Sequence, residues 1–418
     1  MKLAGALRNR RSRPTAGVTR ARSIGIQVSL RAPSYTLGRD LDPIAHTFTG
    51  AALAASGLRR TTPLATATLL IGANAPDVDV ISAFGAPFES FAFRRGWTHG
   101  VLALAILPLI VAALMLLWDR WVRRRENPSA APARAGPILG LAALAVLTHP
   151  ALDWLNNYGL RWLMPFDSRW FYGDAVFIID PWIWLGFGGV AFLTWSYRLQ
   201  SLIGGSVFWL LASTLILTTP DVPGAARVLW LIGVAAVLVI RSLRLTTDER
   251  VVERSARIVM ACIVVYVGAM VAADFAERAL VRAELAERGI AGIEHVMVAP
   301  APANPFAGEV VAATASSYYV GQWRWWPEPK LELADEPISR RTLDPIYMSA
   351  AQTPVAQRFL TWARFPFIEV ESGPDGHVVR FIDARYIATE RLPRPVVQLD
   401  RDLRPVSRIP QAATEPPR

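Results

Sequence analysis

The sequence predicts a mainly α fold: a polytopic membrane helical bundle of about six spans plus a short N-terminal helical hairpin, followed by a small, mostly β C-terminal domain. Three observations predict it. The 418-residue chain is 52% hydrophobic and only 19% charged, a composition typical of membrane proteins. Its apolar residues fall in runs close to the ~20 residues of a membrane span. After about Asp274 those runs give way to short alternating stretches separated by turn residues.

Residues 1–40 form a first segment, rich in arginine and broken by Pro14 and Pro33. Nine Lys or Arg residues precede the first acid, Asp40. No apolar stretch of the ~7–15 residues of a signal peptide follows them, in spite of the twin-arginine look of Arg10-Arg11. The segment reads as a basic disordered extension or a misassigned start, with contact to anionic lipid as its functional alternative. The rest of the chain balances 35 basic against 34 acidic residues, so no nucleic-acid partner is expected. Cys262 is the single cysteine. It excludes an internal disulfide and a thiolate cluster, and leaves histidine and carboxylate for any metal site.

Residues 41–275 form the predicted membrane domain. Pro43 to Leu58 is small and apolar and turns at Arg59-Arg60. Thr61-Thr62-Pro63 then opens a second helix, with proline in its first turn, that reaches about Asn74. Both are shorter than a full span and read as a tight, buried hairpin. Trp97–Trp118, Gly136–Leu155, Asp180–Tyr197, Leu202–Thr218, Ala225–Ile240 and Ile258–Ala273 are the predicted spans. A charged helix, Glu277–Arg288, leads into a water-exposed domain over 276–395. There Phe367–Val370 and His377–Phe381 flank Ser372-Gly373-Pro374-Asp375-Gly376 as a hairpin. Residues 396–418, rich in Pro and Arg, read as a loose tail.

Loop charges orient the bundle. Arg120, Arg123, Arg124, Arg125 and Arg134 follow the first long span, Arg198 follows the third, and Arg241, Arg244, Arg250, Arg254 and Arg257 follow the fifth. The positive-inside rule places these loops in the cytoplasm, and Arg59-Arg60 joins them if the hairpin dips inward. His46, Asp77, Asp79, His99, His149, Asp153, Asp174, Asp180 and the C-terminal domain then share the opposite, outer rim. A basic N-terminal tail on that side disagrees with the rule.

Polar residues of ligand type are costly in such surroundings and tend to be functional. His149 and Asp153 stand four residues apart, on one face of a helix. Asp77 and Asp79 flank Val78 in a turn after Pro76, and His46 and His99 sit at the starts of apolar helices. Such a set suits zinc first, with manganese or iron as alternatives, and a bound ion would make hydroxide available near neutral pH. The expected reaction is ester or phosphoester hydrolysis, with Asp77 or Asp79 as general base and Arg94 or Arg95 holding an anionic oxygen. Trp97 and Trp154 read as interfacial anchors. His295 and His377 read as surface residues.

Several motifs, in order, carry a resemblance: DPIAHTFTGAAL (42–53), PDVD (76–79), RRGWTHG (94–100), LTHPALDWLNNYG (147–159) and FYGDAVFIIDPWIW (171–184). Together they resemble the bacterial inner-membrane metal-dependent hydrolase family, the YdjM-like or LexA-binding membrane hydrolases. The likeness covers about residues 42–200. Asn304-Pro305-Phe306 and Phe381-Ile382-Asp383-Ala384-Arg385-Tyr386 look similar to the C-terminal part of longer members. The resemblance implies an inner-membrane hydrolase with His46, Asp77, Asp79, His99, His149 and Asp153 at motif positions, and Asp174 and Asp180 as further ligands. A distant similarity to zinc-dependent phospholipase C implies a phospholipid or other phosphoester substrate, with membrane lipid as the partner. Members usually begin near the DPIAH motif, so residues 1–40 depart from the pattern. The LexA-binding label has no counterpart in these residues.

Two other classes compete. A transporter or channel would place its polar residues near the bilayer midplane rather than at a rim. A regulatory membrane protein would act through its C-terminal domain.

Overall fold

The computed structural model describes residues 42–245, 248–387 and 394–406; the predicted extension over 1–40 and the end of the tail lie outside them. Apolar runs dictate the first half. Pro43–Ala55 (α1) and Ala65–Asn74 (α2) form the predicted hairpin, turned at Gly57 with φ +114°. Small residues let the helices approach closely. A Cβ on Gly50 would lie 2.6 Å from the Leu69 carbonyl oxygen, and one on Gly72 would lie 2.8 Å from Ala145 Cβ. The hairpin is therefore pressed against the helix that carries His149.

A run of 3-10 turns, Ala75–Phe84, and a short helix, Glu89–Phe93 (α3), lead to Val101–Trp118 (α4). α4 continues through a π turn, Asp119–Arg123, into Arg124–Glu126 (α5). Ala135–Trp154 (α6) follows. Next come Pro181–Ile183 (α7), a π turn at Trp184–Gly188 and Gly189–Trp195 (α8). Leu199–Thr218 (α9), Gly224–Ser242 (α10) and Glu249–Glu287 (α11) complete the bundle.

Five of the described helices are long and apolar enough to cross a membrane: Val101–Glu126, Ala135–Trp154, Leu199–Thr218, Gly224–Ser242 and Glu249–Glu287. The predicted span Asp180–Tyr197 is the difference. Its helix starts only at Pro181, capped by Asp180, and stops at Trp195, too short for the ~20 residues of a span. It packs inside the bundle through Ile183, Phe187 and Val190. A second difference joins two expected elements: Ile258–Ala273 and the charged helix from Glu277 are one 39-residue helix. No glycine or proline breaks it between Met270 and Arg282, so nothing local ends it.

The arginine-rich loops gather at one end. Arg60 pairs with Glu253, Arg59 lies 3.6 Å from Glu249, and Arg257 donates to the Ser56 carbonyl at 2.9 Å. Arg134 N donates to Thr62 and Arg241 to Ser196. The N-terminus of α1, the C-terminus of α6 and the start of α4 are at the other end, beneath the C-terminal domain.

That domain has two antiparallel sheets. His295–Ala301 (β1), Asn304–Ala313 (β2), Ser317–Arg324 (β3) and Lys330–Leu333 (β4) pair in sequence, and Ile338–Ser339 (β5) pairs with β3. Pro345–Ala351 (α12) and Pro354–Trp362 (α13) follow, then Pro366–Gly373 (β6), Gly376–Asp383 (β7) and Val396–Leu399 (β8) as the second sheet. The expected hairpin is present, with Val370 opposite Val379 and Ile368 opposite Phe381. The boundary expected at 395 falls too early. β8 pairs with β7, Val379 opposite Val397, and buries Val397 and Leu399, so the first residues assigned to a loose tail are a strand of the domain.

The domain is fastened to the bundle's rim. Phe359, Trp362 and Phe381 share a core with Phe91 and Tyr158. Arg385 donates to the Asn157 carbonyl at 2.7 Å and Trp170 Nε1 to that of Thr361 at 2.7 Å. Buried Asp174 accepts Arg364 Nη1 at 2.9 Å on both oxygens and Arg278 at 3.1 Å. Paired and hydrogen-bonded, this buried charge is satisfied.

Candidate metal centre

Helix α6 delivers two donors to the rim, His149 and Asp153, both buried. His149 Nδ1 is 2.7 Å from the Ala73 carbonyl oxygen. A carbonyl only accepts, so Nδ1 carries the proton and Nε2 keeps its lone pair. That Nε2 lies 3.6 Å from Asp77 Oδ1 and 3.6 Å from Asp153 Oδ2. The close α2–α6 packing at Gly72 is what sets Ala73 beside His149.

His99 is fixed by the same logic. Thr98 Oγ1 donates to Asp79 Oδ2 at 2.9 Å. His99 Nδ1 faces Thr98 Oγ1 at 2.9 Å and Asp79 Oδ2 at 3.4 Å, two acceptors for a proton on Nδ1. Nε2 then points at Asp153 Oδ2, 3.2 Å away. A carboxylate behind a histidine is the usual way to orient a metal ligand. His46, on the first turn of α1, stacks on His149 with ring centroids 3.7 Å apart, and its Nε2 is 3.5 Å from Asp153 Oδ1.

Two overlapping sets result: His46, Asp77 and His149, and His99, His149 and Asp153, each with ligand atoms within 4.8 Å of one another. Asp77 Oδ1 and Oδ2, His99 Nε2, His149 Nε2 and Asp153 Oδ2 are buried and have no hydrogen-bond partner among the described residues. Such orphans are uncommon in a native protein and call for an ion or water. Tetrahedral zinc with ligands at ~2.0–2.1 Å separates neighbouring ligand atoms by roughly 3.3–3.4 Å. The three measured spacings, 3.2, 3.6 and 3.6 Å, bracket that value. Charge agrees. Among the described residues, Asp77, Asp79 and Asp153 outnumber Arg94 and Arg95, the guanidiniums within 4 Å of them, and a buried excess of negative charge favours a cation. The donor set fits a divalent metal ion.

Three of the expected site residues play supporting parts. Asp79 spends Oδ2 on Arg95 N, at 2.9 Å, and on Thr98, so it orients His99 and pins the Arg95 turn, whose φ is +51°; it is not placed as a general base. Arg95 is buried, donating to Asp153 Oδ1 and Asn156 Oδ1 at 2.9 Å each and lying over Tyr158, so its charge is spent on the Asp153 carboxylate. Asp180 caps α7 through Trp182 N and Ile183 N and accepts Tyr266 Oη at 2.8 Å. Both its oxygens are engaged and it is in neither ligand set. Asp174, a further ligand by resemblance, serves the domain contact instead. Trp97 is half exposed, whereas Trp154 packs against the bundle core.

Asp180 does line a cavity of about 30 Å³ beside the cluster, with Asp42, His46, Arg95, Asp153 and Asn156. That is room for one or two waters. Asp42 and Asn156 escaped the sequence reading of the site, although both lie in its motifs. Asp42 caps α1 through Ala45 N and accepts Trp184 Nε1 at 2.7 Å. The Ala73 carbonyl has no sequence signal, because a backbone oxygen looks the same in every residue.

With this geometry in view, comparison with known proteins places residues 41–222 in register with the family model described as YdjM inner membrane protein. No curated protein and no solved structure matches the chain.

Proposed function

We propose, since residues 41–222 belong to the YdjM inner membrane protein family, that this chain is a membrane-bound metal-dependent hydrolase acting on an ester or phosphoester at the rim of its bundle. One observation carries the reading: the buried, unpartnered donor atoms of His99, His149, Asp77 and Asp153 converge on one another. Bound among them, a divalent ion, zinc first and manganese or iron as alternatives, would bring the pKa of a water toward neutrality and polarise an ester or phosphoryl oxygen.

The chain's own residues do the rest. Ala73 and Asp79 hold His149 and His99 in the ligand tautomer, and Arg95 balances Asp153 so that it can stay ionised while buried. Asp77 is the least enclosed of these side chains, 12% exposed, although both its carboxylate oxygens are buried. With Oδ1 turned to His149, its Oδ2 is positioned to accept a proton from an attacking water. Arg94, buried and 3.9 Å from Asp77, adds a second guanidinium beside these carboxylates. The arginine-rich opposite end supports a cytoplasmic placement of that end in the inner membrane, which puts the site and the C-terminal domain on the outer face. Membrane lipid is the partner this implies, with a phospholipid or another phosphoester as substrate.

The test is hydrolysis of a fluorogenic phospholipid and of bis(p-nitrophenyl) phosphate by the reconstituted full chain. Activity that a chelator removes, a divalent metal restores and His149→Ala lacks is expected. Metal-loaded protein that cleaves neither substrate would count against the reading.

A further inference from the structure

The metal centre is closed on most sides. His99 and His149 are fully buried and Asp79 nearly so, whereas Asp77 lies where the chain comes to the surface. From Asp77 the 3-10 segment Ala75–Phe84 runs along the rim. Between Val78 and Pro87 the only charged residue is Asp79, and it is turned inward. The side chains left outside are Val78, Val80, Ile81 at 67% exposure and Phe84 at 89%.

A strip of this kind in water would be an interaction surface or a liability. The described residues of the C-terminal domain leave it exposed. Phe88 and Phe91, further along the chain, make that contact with Phe359 and Trp362. The strip instead packs beside α4, whose outer face carries exposed Val101, Leu102, Ile106, Leu109 and Ile110. That face belongs to a helix fit to cross a membrane. Half-exposed Trp97 falls between the two in the chain, and tryptophan favours the membrane–water boundary.

We propose that the strip Val78–Phe84 lies in the membrane interface with its apolar side chains among lipid acyl chains, so that the Asp77 edge of the metal centre faces lipid headgroups. The occupant is bilayer lipid, because the strip is uncharged and continuous with the lipid-facing side of α4. Its bearing on substrate rests on the hydrolase reading above, which it narrows to an amphiphile entering sideways from the bilayer.

The experiment reads position, not activity. The full chain with Cys262→Ser and Phe84→Cys is labelled with a fluorophore and reconstituted in phosphatidylcholine–phosphatidylglycerol vesicles carrying nitroxide lipids. Glu336→Cys, on an exposed loop, is the aqueous reference and Leu109→Cys, on the lipid face of α4, the deep one. Quenching of the Phe84 label by nitroxides on the shallow acyl positions, with iodide access several-fold below that at Glu336, is expected. Iodide access equal to Glu336 without lipid quenching would overturn the proposal. So would Phe84→Cys disulfides between chains at low protein-to-lipid ratio, which would assign the strip to a second copy. Ile81→Cys repeats the reading at a second position. Failure here leaves metal-dependent hydrolysis open, and absence of hydrolysis leaves the lipid contact standing.

Discussion

His149 and Asp153 stand one turn apart on α6, with Nε2 of the histidine 3.6 Å from Oδ2 of the aspartate. Each is committed on its far side, His149 to the Ala73 carbonyl and Asp153 to Arg95. What remains free on both is the atom turned toward the centre. Asp153 is the hub: His46, His99 and His149 all reach it within 3.6 Å.

Asp79 positions His99 without being in either ligand set. Asp79→Asn is expected to lower metal affinity about 10–100-fold, the usual cost of losing an outer-shell partner, while helix content stays unchanged. Titration of the apo protein with zinc reads the affinity, and circular dichroism reads the helices. Unaltered affinity would remove Asp79 from this role.

Close packing of α2 on α6 sets the tautomer of His149. In Gly72→Val the new side chain meets Ala145, where even a Cβ would be 2.8 Å away, and α2 must move off. Overpacking of this kind costs about 1–3 kcal/mol, and it should also break the Ala73–His149 hydrogen bond. A lower thermal midpoint in detergent together with weaker zinc binding is expected. Gly140→Val, with nothing within 4 Å of its Cβ, should leave both unchanged.

Arg95 is the cation that lets Asp153 stay ionised while buried. Arg95→Gln leaves a buried charge without its partner, a loss of roughly 3–5 kcal/mol. Saturating zinc should recover more of the thermal midpoint in this variant than in the native chain, because the ion supplies positive charge at the same carboxylate. Equal midpoints with and without Arg95 would contradict the assignment.

The join between domain and rim should depend on pH through Asp383. Burial alone would raise this carboxyl, but the Arg385 guanidinium, with backbone N–H groups of Arg385 and Arg364, outweighs it and holds the group below the ordinary aspartate range. A depressed folded-state pKa stabilises the protein above the unfolded value of ~3.9 and is lost as pH falls through the folded one. Fluorescence of Trp362, which stacks on Tyr386 beneath Arg385, should stay constant from neutral pH to about pH 4 and change below it. Asp383→Asn should show the changed signal already at neutral pH.

Much of the bundle was legible because lipid-facing helices declare themselves in unbroken apolar runs. The convergence of His46, Asp77, His99, His149 and Asp153 at one rim was legible because arginine loops and span lengths fix which end each run starts from. Residues 181–195 misled because a buried short helix is as apolar as a spanning one. The roles of Asp79, Arg95 and Asp180 were hidden because each is set by a backbone N–H, a capped helix or a distant side chain. Asp174 is the plainest case, since its partner Arg364 is 190 residues away.

Metal content tests the account most directly. The purified full chain, dialysed against metal-free buffer and analysed by elemental mass spectrometry, is compared with the His149→Ala, Asp153→Ala double variant. Retention of a divalent metal by the native chain and its loss from a double variant of native helix content is the predicted result. Equal metal in both, or none in the native chain after loading with zinc, manganese or iron, would contradict it.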